Sequence, residues 1–328
     1  MRIDMHHASH TLRRLPTSLL IGATRLQRGA PDRHAIPSTP DLLQQELGVR
    51  RVSAQCVELA LQGNIVRDVW ASSIGKFLLV GTGIAVFLRA LDSSISWGYL
   101  ISAPCLTVTV AFAMYFCFRN FSGRFRGSFV RLHRGTRELY VVSPYDQHFT
   151  ALDWDALQAF AGYVPLVSTA GYSDRYPLYL IGIDAERTPP QEICVSCGNM
   201  GWRDQGASAK QLWDYLQLFM DEGADALPKP PPVPPRLSRK QTFLRCYRDW
   251  AAKFRADLPT AKDWLRKPWL VLGKLIWLVC MVFPDSLAEI IEYNVPYARF
   301  PNEIDTLCGL ANDHDTSSHI TAPPLRDQ

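Results

Sequence analysis

The 328-residue chain lacks any arrangement of side chains that would announce catalysis. A nucleophile with its base, paired carboxylates or a set of metal ligands would be needed. Cys194 and Cys197 form a CxxC, but no second CxxC and no nearby histidine accompany them. That excludes the usual zinc and thioredoxin-like readings and leaves two core thiols. Gly81 and Gly83 make a GxG inside an apolar run, where a phosphate loop has no place. Asp153 and Asp155 flank Trp154 and read as a helix cap and an exposed acid. His133 and His148 fall on neighbouring predicted strands, where they could approach each other, but they read as a pair of surface imidazoles. His6, His7 and His10 near the start, and Asp313, His314, Asp315 and His319 near the end, lie in polar segments and read as solvated. The expectation is therefore no catalytic residue, no cofactor, no metal and no enzymatic activity.

A disulfide framework is missing as well. The eight cysteines are scattered, with Cys105 and Cys117 inside an apolar run, which points to thiols in a reducing compartment. Strong charge is missing too: the net charge is only +4, and the excess lies beside the apolar runs or in the first fifty residues. No nucleic-acid partner is expected.

Charge is wholly absent from Trp97 to Phe118, 22 residues reading WGYLISAPCLTVTVAFAMYFCF. As a helix this run reaches about 33 Å, enough to cross the roughly 30 Å hydrocarbon layer. Trp97, Tyr99 and Tyr115 suit the headgroup level, and Pro104 marks a kink that a bilayer helix tolerates. The preceding run, residues 69–91, spans only if Lys76 and Arg89 extend their stems towards opposite headgroup layers. The turn Asp92 to Ser96 is short, so the two runs are expected to form an antiparallel transmembrane hairpin. Gly81 with Ala85, and Gly98 with Ser102, are small pairs four apart that suit close helix contact.

The flanks give the orientation. Arg119, Arg124, Arg126, Arg131 and Arg134 follow the hairpin, and Arg50, Arg51 and Arg67 precede it. Lys and Arg beside a span mark the cytoplasmic side, so both ends of the hairpin are expected there. The five arginines after it are expected to touch anionic headgroups as well.

Around the hairpin, residues 1–40 are basic, acid-poor and without apolar period, so disorder is expected, with a composition similar to that of a transit peptide. Residues 41–68 carry Leu42, Leu43, Leu47, Val52, Cys56 and Leu59 at helical spacing. They read as an amphipathic helical segment, lying on the inner leaflet or packed on a soluble domain. Residues 119–226 switch to alternation: Phe129 to His133 pairs with Glu138 to Val142, further strands cover His148 to Leu152, Tyr176 to Asp184 and Gln191 to Ser196, and a helix from Lys210 to Glu222 closes the set, ended by Gly223. That order resembles a small antiparallel, pleckstrin-homology-like β domain closed by a helix.

A proline-rich linker, residues 227–237, leads to a C-terminal helical region over residues 238–310. Its apolar run, residues 269–283, is short enough for an interfacial or core helix, whereas basic residues before it and acidic ones after it suit a crossing. The non-crossing reading is favoured. Residues 311–328 are polar and expected to fray. The fold class expected is an α+β membrane protein: a two-helix hairpin, the β domain, then C-terminal helices.

Four stretches carry a family resemblance: RGTRELYVV (Arg134 to Val142), DWDAL (Asp153 to Leu157), LWDYLQLFMDEG followed by LP and prolines (Leu212 onward), and FPNEID (Phe300 to Asp305). Together, over roughly residues 120 to 310, they resemble a family of uncharacterised proteobacterial membrane proteins often encoded near type VI secretion genes. Phe300 stands where that family has tryptophan. The resemblance implies no catalytic residues and an accessory or immunity-like role. The function expected is a multi-pass protein of the bacterial inner membrane with a cytoplasmic binding or scaffold domain and a protein partner. Lipid sensing, a transport-associated role and an enzyme without a recognisable motif are the alternatives.

Overall fold

In the computed structural model, residues 22–45, 47–60, 71–81, 83, 97–121, 124–168, 171–185, 187–202, 204–233 and 237–310 are described. They form two compact units. Unit 1 draws on the described parts of residues 1–63, 127–236 and 297–328, and unit 2 on those of 64–126 and 237–296. The fold is α+β with two antiparallel five-stranded sheets.

Unit 1 begins with β1 (Thr24–Leu26), a helix α1 (Pro40–Gln45) and the strands β2 (Val49–Val52) and β3 (Cys56–Ala60). After a long excursion the chain returns as β4 (Ser128–His133), β5 (Glu138–Val142) and β6 (Phe149–Asp153), and these with β2 and β3 make the first sheet, in the order β2-β3-β4-β5-β6. The second sheet runs β1-β7-β9-β10, from β7 (Gln158–Ala161), β9 (Gly171–Asp184) and β10 (Gln191–Trp202), with β8 (Val164–Ser168) also paired to β9. β6 packs against β9 and β3 against β10, so the two sheets close on a shared core. Gly182 allows this: a Cβ there would sit 2.7 Å from Leu157 and 3.2 Å from Leu152.

The helix α4 (Ala207–Glu222) lies on β7, β9 and β10. Its Trp213, Tyr215 and Phe219 are among the largest fully buried side chains of the chain. Burying each aromatic or aliphatic side chain of this kind contributes about 1.5–3 kcal/mol. Trp213 packs on Trp154 with ring centroids 5.1 Å apart, and Arg28 lies over both rings. From the middle of the helix Tyr215 donates to the carbonyl of Pro228 at 3.1 Å, tying the proline run to α4.

Several expectations are corrected here. Residues 41–68 do not form one helical segment. Only α1 is helical, and Val49–Val52 and Cys56–Ala60 pair as a hairpin, with residues 61–70 outside the described set. The leucines at helical spacing were a coincidence of α1 running into β-branched Val49, Val52 and Val57, which favour the pleated sheet. The basic N-terminus is not disordered throughout: β1 pairs with β7, and Arg33–Ala35 makes a short 3-10 turn, while residues 1–21 lie outside the described set.

Unit 2 is helical: α2 (Ala71–Gly81), α3 (Trp97–Phe121), α5 (Arg239–Asp257), α6 (Ala261–Arg266) and α7 (Pro268–Tyr293), the last with a π-helical turn at Leu278–Val282. Ala71 and Ile74 of α2, Ala111 of α3 and Ala288 of α7 form its small core. Gly75 lets α7 approach, since a Cβ there would meet Pro284 at 2.8 Å, and Gly81 does the same for Thr107 at 2.6 Å. Close helix contact at small residues is the packing expected of helices in lipid. The expected two-helix transmembrane hairpin is not supported. The described part of its first arm ends at Gly83, and among the described residues α7 is the one helix long and apolar enough to cross a membrane. The short helix α8 (Asn302–Leu307) belongs to unit 1.

Candidate functional site

Two places in the molecule concentrate unusual chemistry, one in each unit. In unit 1, every side chain of β4 is buried, Arg131 included. Its Nε donates to Glu58 Oε2 at 3.1 Å, another guanidinium nitrogen donates to Asp305 Oδ1, and the guanidinium carbon lies 4.0 Å from the centre of the Phe300 ring. Arg51 completes the cluster through two bonds to Glu58, at 3.2 and 2.7 Å. Burial alone would push the Glu58 carboxyl up, but Arg51 and Arg131 outweigh it and hold it below the ordinary carboxylate range. Burial likewise disfavours the Arg131 cation, and Glu58 with Asp305 restores it.

The same surface holds the segment that ends at Cys308. Ser53 Oγ donates to the carbonyl of Cys308 at 2.7 Å, and the thiols of Cys56 and Cys308 hydrogen-bond each other. That bond, with burial, pushes Cys56 up, while the bond from Cys56 pulls Cys308 down against burial. The stretch Phe300 to Cys308 is thus a clasp on the first sheet. Glu58 is 2% exposed and Arg131 3%, so the charges meet one another and not a substrate. The cluster can hold the segment Phe300 to Cys308 in register.

The arginines after α3 are dispersed. Arg124 is exposed and Arg126 half-buried, its backbone N–H donating to Pro296 at 2.9 Å; the side chain of Arg119 lies outside the described set. Arg131 and Arg134 turn their side chains into unit 1. Arg134 donates from Nε to the carbonyl of Met220 at 3.1 Å and from a terminal nitrogen to that of Asp221 at 3.0 Å. A cation there satisfies the orphan carbonyls at the end of α4 and faces the negative end of its dipole. Gly223 makes room for it, since a Cβ would stand 2.7 Å from the guanidinium.

The remaining candidates are also placed. Asp153 caps the turn at Trp154 by accepting from the N–H of Asp155 at 3.0 Å, and Asp155 itself is exposed and paired with Arg137, which holds its carboxyl low. His133 and His148 do not approach each other. The first pairs with Glu138 at one end of β5, and the second precedes Phe149, which pairs with Val142 at the other end. Cys194 and Cys197 lie on β10 as free thiols, with burial pushing Cys194 up to about 12 and Cys197 higher. Among the described residues no three histidines, cysteines or carboxylates gather in a way that would hold a metal ion.

In unit 2 the unusual feature is apolar surface facing outward. On α3, Leu106, Val108, Phe112 and Phe116 are exposed, and on α7 so are Trp269, Leu272, Ile276 and Val279. An 18-residue stretch of α7 has a mean hydropathy of 1.8, yet only 17% of it is buried. A core helix of a water-soluble protein would bury such a stretch; lipid-facing helices leave it outward. A cleft of about 540 Å³ runs between α5 and α7, lined among others by Trp250, Lys253, Trp269, Lys274 and Trp277. Cys246 also lines it, without a histidine beside it, so the cleft offers no activated nucleophile.

Compared with known proteins, residues 106–311 match the model of a family of unknown function, DUF6708. No curated protein and no solved structure matches the chain. The matched stretch includes the Arg131 and Phe300–Asp305 partners of the clasp and most of the helices of unit 2.

Proposed function

The chain belongs to the DUF6708 family, whose function is unknown, and from its own residues we propose that it is a membrane-anchored, non-enzymatic binding protein. Unit 2 sits in the bilayer of a bacterial inner membrane, and unit 1 is the binding module it carries. The observation that carries this reading is the outward apolar surface of α3 and α7.

We take α3 as the crossing element by its full length and sequence, although its apolar part Cys105–Phe116 is by itself shorter than a span. The whole helix has 25 residues with no charge from Trp97 to Phe118, a length of about 37 Å. α2 packs beside it through Gly81 and forms the inner part of a second, antiparallel arm. α7, though long and apolar, lies along the interface and does not cross, because α5 accompanies it. Arg245 pairs with Glu289 towards one end, and Lys274 pairs with Asp257 towards the other. Taking α7 through the hydrocarbon would drag the exposed Arg248, Lys253 and Arg255 of α5 with it, at about 2.5–3.5 kcal/mol each.

Arg119, in the last turn of α3, and Arg124, just after it, favour the cytoplasmic side for unit 1. Antiparallel strands closed by α4 suit a pleckstrin-homology-like binding module, and the resemblance to proteins encoded near type VI secretion genes suggests a partner from such a system, an effector that this protein assists or resists. Lipid sensing through Arg131 and Arg134 is set aside, since both side chains are engaged within unit 1.

Washing membranes that contain the full chain with alkaline carbonate tests the anchor. The protein is expected to stay in the pellet and to leave it only with detergent. Release by carbonate alone would overturn the proposal.

A further inference from the structure

We propose that the face formed by α5, α6 and the first half of α7 docks on anionic phospholipid headgroups, a surface distinct from the arginines that follow α3. The inference rests on the membrane reading above and names the lipid class that reading leaves open.

Charge is the first argument. Lys240, Arg248, Lys253 and Arg255 on α5, and Arg266 with Lys267 at the junction of α6 and α7, are all exposed. The exposed acids among the described side chains of α5 are Asp249 and Asp257, and Asp257 is already paired with Lys274. At 100° per residue Lys240, Arg248 and Arg255 share one side of α5 and Lys253 borders the cleft with α7. Cations thus ring the layer and, with Asp249 and Asp263 counted against them, it keeps a net positive charge complementary to a phosphodiester layer.

Apolar reach is the second argument, and it separates a membrane from a nucleic acid. Trp264, Leu265 and Trp269 flank the cations Arg266 and Lys267 and are 48%, 84% and 81% exposed. Indole rings prefer the headgroup boundary, and an exposed leucine gains nothing from a phosphate backbone but is buried by acyl chains. The aromatic ladder beneath is built to hold them: Trp250 stacks on Phe254 at 5.1 Å, and Phe254 meets Trp264 edge-on at 5.3 Å. Trp250 also donates to the carbonyl of Lys274 at 3.1 Å, which fixes α5 to α7. Basic and aromatic side chains on one helical layer are the pattern of an element lying in the plane of a leaflet.

The test uses the full chain in liposomes of equal parts phosphatidylcholine and phosphatidylglycerol, with bromine on the acyl chains of one lipid or the other. Bromine quenches tryptophan on contact, and the difference between the wild type and Trp264→Phe/Trp269→Phe isolates the two reporters. At low salt, quenching by the brominated phosphatidylglycerol is expected to exceed that by phosphatidylcholine at least threefold. In 1 M salt, where screening is nearly complete, the ratio should fall towards one. Arg248→Gln/Lys253→Gln/Arg255→Gln, at exposed positions, should lower the ratio at low salt while the protein still floats with the liposomes. Equal quenching by both lipids would overturn the inference and leave the anchor standing, as would absence of quenching in a protein that floats. Salt-sensitive binding of RNA without lipid preference would overturn it too, by assigning the cations to a nucleic acid. Failure to float would remove the membrane reading itself.

Discussion

Arg131→Met is expected to lower the stability of unit 1 by about 3–5 kcal/mol, the usual cost of removing one partner from a buried ionic cluster. Methionine fills most of the volume, but it strips Asp305 of its guanidinium and leaves Glu58 with Arg51 alone. Guanidinium unfolding of the full chain in mild detergent, followed by near-ultraviolet circular dichroism, would measure the loss. Arg131→Met/Asp305→Leu should lose less than Arg131→Met, because the orphaned carboxylate has gone; a greater loss would mean that Asp305 acts through packing and not through charge. The effect also depends on pH in a fixed direction. Glu58 titrates below its ordinary value of 4.5 in the folded chain, so its ion pairs contribute in full above that value and lose their contribution as pH falls through the folded pKa. The gap between wild type and Arg131→Met should be widest near neutrality and shrink below about pH 4.5. A gap that widened on acidification would contradict the role given to Glu58.

The second large effect concerns the anchor. Val108 and Phe112 stand one helical turn apart on the outward face of α3, 60% and 68% exposed. In water, Val108→Asp/Phe112→Asp would be close to neutral. In hydrocarbon it costs about 6 kcal/mol, from two aspartates near the centre of a span and the loss of two apolar side chains. The variant is expected to be washed from membranes by alkaline carbonate, and Val108→Ala/Phe112→Ala to be retained. At low salt the aspartate variant should still adhere weakly through the basic face of α5, and 1 M salt should strip it. Full retention of the aspartate variant after carbonate would place α3 outside the lipid.

Much of unit 1 can be read from local sequence. The β4–β5 hairpin follows from alternation around Arg134, Gly135 and Thr136, and its observed strands, Ser128–His133 and Glu138–Val142, lie within a residue of that pattern. The cap at Asp153 and the stop at Gly223 follow from side-chain chemistry that needs no tertiary partner. The hairpin of β2 and β3 is hidden because α1 puts leucines just upstream at a spacing that Val52 and Cys56 happen to continue.

The clasp is invisible for a different reason. Arg131 looks like one more basic residue after an apolar run, and only contact with Asp305, 174 positions away, turns it inward. A buried charge leaves no local signature when its partners are remote in sequence. Phe300 to Asp305 could have raised the question, as an apolar ring four residues ahead of Ile304 and two acids in the first turn of a short helix, but nothing nearby says which cation they meet. In unit 2 the apolar runs are evident from sequence, whereas the flank of α7 is not: its relation to α5 depends on the Arg245–Glu289 and Lys274–Asp257 pairs.

Removing detergent from the purified full chain, once with liposomes present and once without, tests the anchor most directly. Co-flotation with the liposomes in the first case and aggregation in the second are the results predicted. A monodisperse, lipid-free particle in plain buffer would contradict the account, because the outward side chains of α3 and α7 would then have found their cover within the protein.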